Sequence, residues 1–236
     1  MKEKNLKILT ILNAIAFVIM VTVNALSSIL PINGVLPEEV SDSYANLVAP
    51  AGITFAIWGV IYLALLLFVL YGLGLFKGKE GPSLESVKRI KYCFVISSVA
   101  NAAWIFAWHN FKIGISLIMM LVIFVSLLLT FFRINKGELS SKEKLFVKIP
   151  FSLYFGWITI ATIANVTTYL VSAGWNGFNL AEPIWMIIIA IIGLLITGAT
   201  ILKFKNVAYG LVAIWAYIGI LVKHLGQEGY NGEYTG

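Results

Sequence analysis

The chain contains seven long apolar stretches, and none of them has a charged residue in its interior. An α-helix needs roughly 20 apolar residues to cross a hydrocarbon core about 30 Å thick, because each residue adds about 1.5 Å. The stretches cover residues 8–30, 51–76, 92–111, 113–132, 149–173, 183–202 and 206–222. They predict an all-α integral membrane protein with seven transmembrane helices.

The composition excludes the soluble classes of protein. Hydrophobic residues make up 60% of the 236 residues and charged residues only 12%, whereas soluble domains carry about 25% charged residues. There is too little polar surface to cover a water-soluble globule. The single cysteine, Cys93, excludes an internal disulfide framework and a cysteine-based metal site. We therefore expect neither a cofactor nor a metal.

The basic residues are divided unequally between the two sides of the predicted bundle. Fifteen of the 17 Lys and Arg residues fall in segments on the amino-terminal side, and only Lys112 and Lys223 fall on the other. Because cytoplasmic loops are enriched in Lys and Arg, this split predicts a cytoplasmic amino terminus and an outer carboxyl terminus. The expected location is the cell inner membrane. Anionic lipid, rather than nucleic acid, is the expected partner of the basic loops.

The apolar stretches contain aromatic and amide side chains instead of charges. The absence of Asp, Glu, Lys and Arg within them leaves no evident proton relay or ion-coupling group. Three predicted helix faces carry aromatic or amide residues at helical spacing: Phe55, Trp58 and Tyr62; Asn101, Trp104 and Trp108; Trp157, Ala161 and Asn165. Faces of this kind at overlapping depth could converge on an apolar cavity with a few polar anchors, which is the usual composition of a small-molecule site.

Two other interpretations of these residues remain open. Tryptophans collect at membrane interfaces, so an outer aromatic belt would account for Trp108, Trp175 and Trp185 without a ligand. Asn101 and Asn165 could instead connect helices through hydrogen bonds, which contribute about 0.6–2 kcal/mol in membranes. The spacing of Asn101 and Asn165 alone does not distinguish hydrogen bonds between helices from contact with a ligand.

Four short motifs occur along the chain in a fixed order. The segment after the first stretch reads Tyr44-Ala45-x-Leu47-x-x-Pro50, followed by Trp58 eight residues after Pro50 and then Tyr62. The third stretch contains Asn101-x-x-Trp104, and the fifth contains Trp157-x3-Ala161-Thr162-x2-Asn165. Over about residues 8–173 this order resembles the TspO/MBR family, the tryptophan-rich sensory proteins related to the mitochondrial translocator protein.

The resemblance implies a five-helix bundle with a ligand pocket that opens to the outer side, beneath residues 31–50. Members of the family bind porphyrins and other tetrapyrroles, sterols and synthetic drug-like ligands. At the matching positions, the resemblance implies these ligand-binding residues: Tyr44, Trp58, Tyr62, Asn101, Trp104, Trp157, Ala161 and Asn165. We therefore expect a receptor or sensor for a hydrophobic, tetrapyrrole-like molecule, with facilitated transport as one consequence of binding and a homodimer as one assembly state.

The chain also departs from the family pattern. Ser43 stands where the family usually has a Trp before the loop tyrosine. That Trp is linked to oxidative porphyrin breakdown in some members, so we expect no porphyrin-degrading activity. Residues 174–236 add two further spans to a five-helix unit at 1–173. Those spans leave a second function open, in which the protein is a non-catalytic scaffold or a transporter-assembly subunit. Small residues at Ala190, Gly193 and Thr197 predict helix packing there.

Overall fold

The computed structural model describes residues 3–76, 84–227 and 229–234, and these residues form helices joined by turns and short loops. In chain order, the α-helices of this part are α1 (Glu3–Ile29), α2 (Pro37–Asp42), α3 (Ile57–Gly72), α4 (Leu84–Ile90), α5 (Cys93–His109), α6 (Ile113–Ile134), α7 (Ser141–Glu143), α8 (Ile149–Ser172), α9 (Glu182–Phe204) and α10 (Val207–Leu225). A 3-10 turn (Gly52–Ala56) precedes α3, and a π-helical turn (Lys144–Lys148) precedes α8.

The seven long helices coincide with the seven apolar stretches. In the described part of the chain, six helical segments are long and apolar enough to cross a membrane, and α3 is one of them only together with the 3-10 turn before it (Gly52–Gly72). Helix α5 has 17 residues and is shorter than these segments. The prediction of an all-α, multi-pass membrane protein is confirmed. The count of seven spans and the orientation stay predictions.

Helix α1 shows how the sequence selects the buried face. Its buried side chains recur every three or four residues, at Leu6, Leu9, Thr10, Asn13, Ala16, Phe17, Met20, Asn24 and Ser27. This spacing places them on one side of an α-helix. The opposite side exposes large apolar side chains such as Ile11 and Val18, which suit contact with lipid. The helix begins with an ion pair between Glu3 and Lys7, whose charged atoms lie 2.8 Å apart.

Helix α8 lies at the centre of the bundle, and α3, α6, α9 and α10 all pack against it. Helix α5 joins α1 to α6 on one side of this arrangement. Tyr154 and Ile158 of α8 are completely buried. By contrast, only Gly193 and Thr197 are buried in α9, so α9 presents most of its surface outward.

Buried polar side chains connect the helices in pairs. The Asn24 amide of α1 donates to the Asn101 carbonyl oxygen of α5 at 2.6 Å. Helix α10 makes two such bonds to α8: Asn206 Nδ2 donates to Ser152 Oγ at 2.7 Å, and Tyr209 OH donates to Thr159 Oγ1 at 3.1 Å. In an apolar environment these groups need partners, so the bonds favour one register of the helices.

We call residues 31–50 the loop. The loop lies at one end of the bundle, which we call the loop end, and hydrogen bonds hold it there. Trp108 Nε1 of α5 donates to the Pro37 carbonyl oxygen at 2.9 Å. Three contacts come from the end of the chain: Lys223 pairs with Asp42 (2.9 Å), His224 Nε2 donates to the Leu47 carbonyl oxygen (2.9 Å), and Tyr230 OH donates to the Asn46 carbonyl oxygen (3.0 Å). The last helix therefore holds the loop in place.

Replacing Asn206 with alanine is expected to lower the stability of the bundle by about 1–2 kcal/mol. Asn206 is buried, and besides its bond to Ser152 it caps α10 by accepting from the Tyr209 backbone N–H at 3.2 Å. Thermal unfolding of the detergent-solubilised protein measures the change. The matched control is Asn135→Ala, because among the described residues the Asn135 amide bonds only within its own helix end, to the Phe131 carbonyl oxygen. Equal midpoints for the two variants would contradict the role given to Asn206.

Candidate ligand-binding site

A central cavity of about 70 Å³ lies below the loop, among α3, α5, α6, α8, α9 and α10. Ser41, Val48 and Pro50 of the loop segment form its upper wall. Aromatic side chains contribute much of the remaining wall: Phe55, Trp58, Trp104, Trp108, Trp157 and Tyr217. Most of the other lining residues are aliphatic, so the cavity suits an apolar molecule.

The aromatic side chains of the site form two groups of contacting rings. The Trp58 ring stacks on Tyr62, with centroids 5.3 Å apart, and meets Trp157 edge-on at 6.2 Å. Phe55 also meets Trp157 edge-on at 6.2 Å. Trp104 stacks on Trp108 at 5.4 Å. Offset and edge-on pairs of this kind stabilise one another by about 0.5–1.5 kcal/mol each, so the walls of the cavity are preorganised.

A second cavity of about 270 Å³, called the side cavity, lies among α1, α3 and α5. Phe55, Trp58 and Trp104 line both this cavity and the central one. These three rings therefore form the partition between the two spaces. Together the spaces reach the lower end of the range of roughly 300–1,000 Å³ in which drug-sized ligands bind.

Three hydrogen-bond donors in the walls are buried and have no acceptor among the described residues. They are the indole N–H groups of Trp104 and Trp157 and the hydroxyl of Tyr62. Leaving a buried donor unpaired costs about 1–3 kcal/mol. A bound molecule with carbonyl, ether or ring-nitrogen acceptors would recover part of this cost. In the described part of the chain, no group of three or more His, Cys, Asp or Glu side chains could hold a metal ion.

The two predicted amides are placed differently. Asn165 lines the central cavity, and its side-chain oxygen accepts from Ser116 Oγ at 3.4 Å. Asn101 is completely buried between α1 and α5, where it accepts from Asn24 and lines neither cavity. The geometry therefore favours ligand contact for Asn165 and helix connection for Asn101.

Five of the remaining predicted residues come together at the two cavities, and one does not. Trp58 and Trp104 line both, Trp157 and Ala161 line the central cavity, and Tyr62 lines the side cavity. Tyr44 lies in the loop and contacts Phe111, with ring centroids 6.5 Å apart, and it lines neither cavity. The aromatic faces of α3, α5 and α8 thus converge, as the helical spacing predicts.

A family model described as TSPO-like protein matches residues 10–232. The chain belongs to the TSPO-like family. The match covers nearly the whole sequence and extends through α9 and α10, beyond the region in which the motifs occur. No curated protein and no solved structure was found to match the chain.

In this TSPO-like protein the last two helices contribute directly to the site, which the sequence patterns did not indicate. The central cavity is also lined by these residues of α9 and α10: Met186, Ile189, Ala190, Gly193, Ala216, Tyr217 and Ile220. The spacing of Ala190 and Gly193 was the available signal, and it predicted helix packing alone. Trp108, for which an interfacial belt was one of the open interpretations, is buried and lines the cavity.

Proposed function

We propose that this TSPO-like protein is a membrane receptor for a hydrophobic small molecule that occupies the central and side cavities. The observation that carries the proposal is the group of unpaired donors at Tyr62, Trp104 and Trp157 in apolar walls. A buried donor without a partner costs free energy that a bound acceptor would recover, and a ligand site needs a few polar groups to fix orientation. Family membership supports a ligand-binding or sensory role in a membrane.

The ligand class that we propose is a tetrapyrrole or another flat, largely apolar molecule with hydrogen-bond acceptors. Stacked and edge-on rings such as Trp58, Tyr62 and Trp104 offer flat faces for contact. A porphyrin requires the Phe55–Trp58–Trp104 partition to move, because neither cavity alone reaches the drug-sized range. Sensing or passage across the membrane would follow from such movement.

For the arrangement in the membrane, we propose seven spans with a cytoplasmic amino terminus in the inner membrane of the cell. The support is the unequal distribution of Lys and Arg, 15 of which lie on the amino-terminal side. Labelling of single cysteines with a membrane-impermeant maleimide tests this arrangement. A Cys placed at exposed Ser43 should react from outside, and one placed at exposed Lys136 should not.

Tryptophan fluorescence tests the binding proposal. Four of the seven tryptophans line the central cavity, namely Trp58, Trp104, Trp108 and Trp157. Protein in lipid nanodiscs is titrated with protoporphyrin IX and with its neutral dimethyl ester. Saturable quenching is expected, and Trp58→Phe should weaken affinity by about tenfold because it loses part of the stacking surface.

The matched control for Trp58→Phe is Trp175→Phe. Trp175 follows α8, is 36% exposed and lines neither the central nor the side cavity. The control variant should keep the affinity of the wild type within about twofold, well below the effect of a lost ring contact. If neither porphyrin quenches the fluorescence saturably, and Trp58→Phe changes nothing, the binding proposal fails.

A scaffold or assembly subunit remains the second candidate function, and the outward surface of α9 favours it. Ile187, Ile191 and Leu195 are all about half exposed or more. A partner helix would recognise this surface by shape. Replacing these residues with small ones leaves the cavity walls intact, because none of them lines a cavity. Loss of a co-purifying partner together with unchanged porphyrin quenching would support the scaffold.

A further inference from the structure

A third cavity of about 430 Å³ lies at the loop end, outside the central cavity, and it is called the vestibule here. Its walls are residues 45–48 of the loop, the end of α8, the connection from α8 to α9 and the first turns of α9. Val48, Met186 and Ile189 line both the vestibule and the central cavity, so the two spaces adjoin. The vestibule alone is large enough for a drug-sized molecule.

Two tryptophans form one wall of the vestibule. The rings of Trp175 and Trp185 lie 4.9 Å apart at an angle of 58°. The Trp185 indole is fixed because it donates to the Gly177 carbonyl oxygen at 2.6 Å. A Cβ atom at Gly177 would lie 2.7 Å from the Trp185 nitrogen, so a glycine is required for this approach. The wall is therefore a built arrangement of two aromatic faces.

The charge of the vestibule comes from Glu182. Its side chain lines the vestibule, and among the described residues no cation forms an ion pair with it. No Lys or Arg in the described part of the chain lines this cavity. Burial, followed by the carboxylates of Glu182 and Asp42, raises the pKa of the neighbouring Tyr230 hydroxyl. The electrostatic potential around Tyr230 and Glu182 is therefore negative, since nearby negative charge opposes ionisation of a phenol.

The protein surface around the vestibule, at the loop end, also carries a net negative charge. At the loop end the described residues include five carboxylates, at Glu38, Glu39, Asp42, Glu182 and Glu233, against two amines at Lys112 and Lys223. The Lys223 amine is already paired with Asp42. A negative surface around a cavity raises the local concentration of cations and lowers that of anions.

We propose that the vestibule is a binding site for an organic cation with an apolar body. The two indole faces and the Glu182 carboxylate hold the positive centre, since cations are attracted both to aromatic faces and to carboxylates. The apolar body packs on Met186 and Ile189, towards the central cavity. The site is separate from the one proposed for the hydrophobic ligand, and its negative charge disfavours anions within the vestibule.

Tetraphenylphosphonium and tetraphenylborate test the proposal, because they have nearly the same shape and opposite charge. Equilibrium dialysis against protein in neutral-lipid nanodiscs, corrected with empty nanodiscs, measures saturable binding. The phosphonium is expected to bind at least about tenfold more tightly than the borate. Glu182→Gln should weaken phosphonium binding by about fivefold or more. Glu233→Gln removes one charge from the same surface without touching the vestibule and should change binding less than about twofold.

The remaining variants separate this site from the central cavity. Trp175→Leu should also weaken phosphonium binding, whereas Ala161→Phe, which fills the central cavity, should leave it unchanged. Equal binding of the two ions, or no effect of Glu182→Gln, overturns the proposal. Loss of phosphonium binding in Ala161→Phe but not in Glu182→Gln overturns it as well, because the cation would then occupy the central cavity. Quenching of tryptophan fluorescence by the porphyrins is measured on the same variants. Loss of cation binding and loss of porphyrin binding are therefore detected separately.

Discussion

Replacing Ala161 with phenylalanine is expected to abolish saturable binding of the porphyrin ester, with affinity falling by at least about 50-fold because the new ring occupies the space that the ligand needs. Ala161 lies on α8 and lines the central cavity, whose volume is about 70 Å³. It is only partly buried, since its methyl group faces this empty space. The protein should still fold, because the ring enters a void instead of a filled core.

Fluorescence titration in nanodiscs measures the effect of Ala161→Phe. Val166→Phe is the matched control, because Val166 lies on the same helix, is 37% exposed and lines neither cavity. The control variant adds similar bulk towards lipid and should bind like the wild type. Wild-type affinity in Ala161→Phe, with an unchanged thermal midpoint, would show that the ligand does not use the central cavity.

The second large effect is expected at the contact between α10 and the turn before α3. Gly219 lies directly against Thr54, which is completely buried. A Cβ atom at Gly219 would overlap Thr54 Oγ1 and lie 2.6 Å from Thr54 Cγ2. Two hydrogen bonds fix the backbone here: Ala51 N–H donates to the Gly219 carbonyl oxygen at 3.0 Å, and Trp215 Nε1 donates to the Thr54 carbonyl oxygen at 2.9 Å. The backbone therefore has little freedom to move apart.

Gly219→Val is expected to destabilise the protein by roughly 3 kcal/mol, which corresponds to a fall of about 10 °C in the thermal midpoint. Quenching of tryptophan fluorescence by porphyrin should also weaken, because Phe55 and Ala216, which lie next to this contact in the sequence, line the central cavity. Gly198→Val is the matched control, since among the described residues no atom outside its own stretch of helix lies within 4 Å of a Cβ at Gly198. Adding Thr54→Gly removes the overlapping atoms and should restore part of the stability. Similar midpoints for Gly219→Val and Gly198→Val would contradict the close contact.

Most of the helices could be predicted from the sequence because hydropathy is a local property. The predicted span 149–173 corresponds to α8 at Ile149–Ser172, and 206–222 corresponds to α10 at Val207–Leu225. The largest difference is in 51–76, where α3 covers only Ile57–Gly72 after a 3-10 turn. The short helix α2 at Pro37–Asp42 was not predicted. It depends on the proline at its start and on Glu39, which accepts from the Leu36 N–H at 2.7 Å.

The candidate site could be predicted in part. Helical spacing placed the aromatic residues of α3, α5 and α8 on single faces, and those faces do meet at the cavities. Spacing could not reveal that Asn101 bonds to Asn24, because the partner lies 77 residues away in the sequence. It also could not show that Tyr44 packs on Phe111 instead of entering a cavity. The division of the chain at residue 173 stays a prediction, although α9 and α10 line the same cavity as the earlier helices.

The sequence by itself determined that this is a helical membrane protein, because apolar segments without charges have few other ways to satisfy their backbone groups. The match to the family model likewise depends on the sequence alone and places the chain in the TSPO-like family. It also determined which aromatic side chains share a helix face. Only the tertiary structure decided where those faces leave empty space, which donors remain unpaired, and that α10 fastens the loop above the cavity. These features depend on contacts between residues far apart in the chain, and side-chain packing of this kind has no local signal in the sequence.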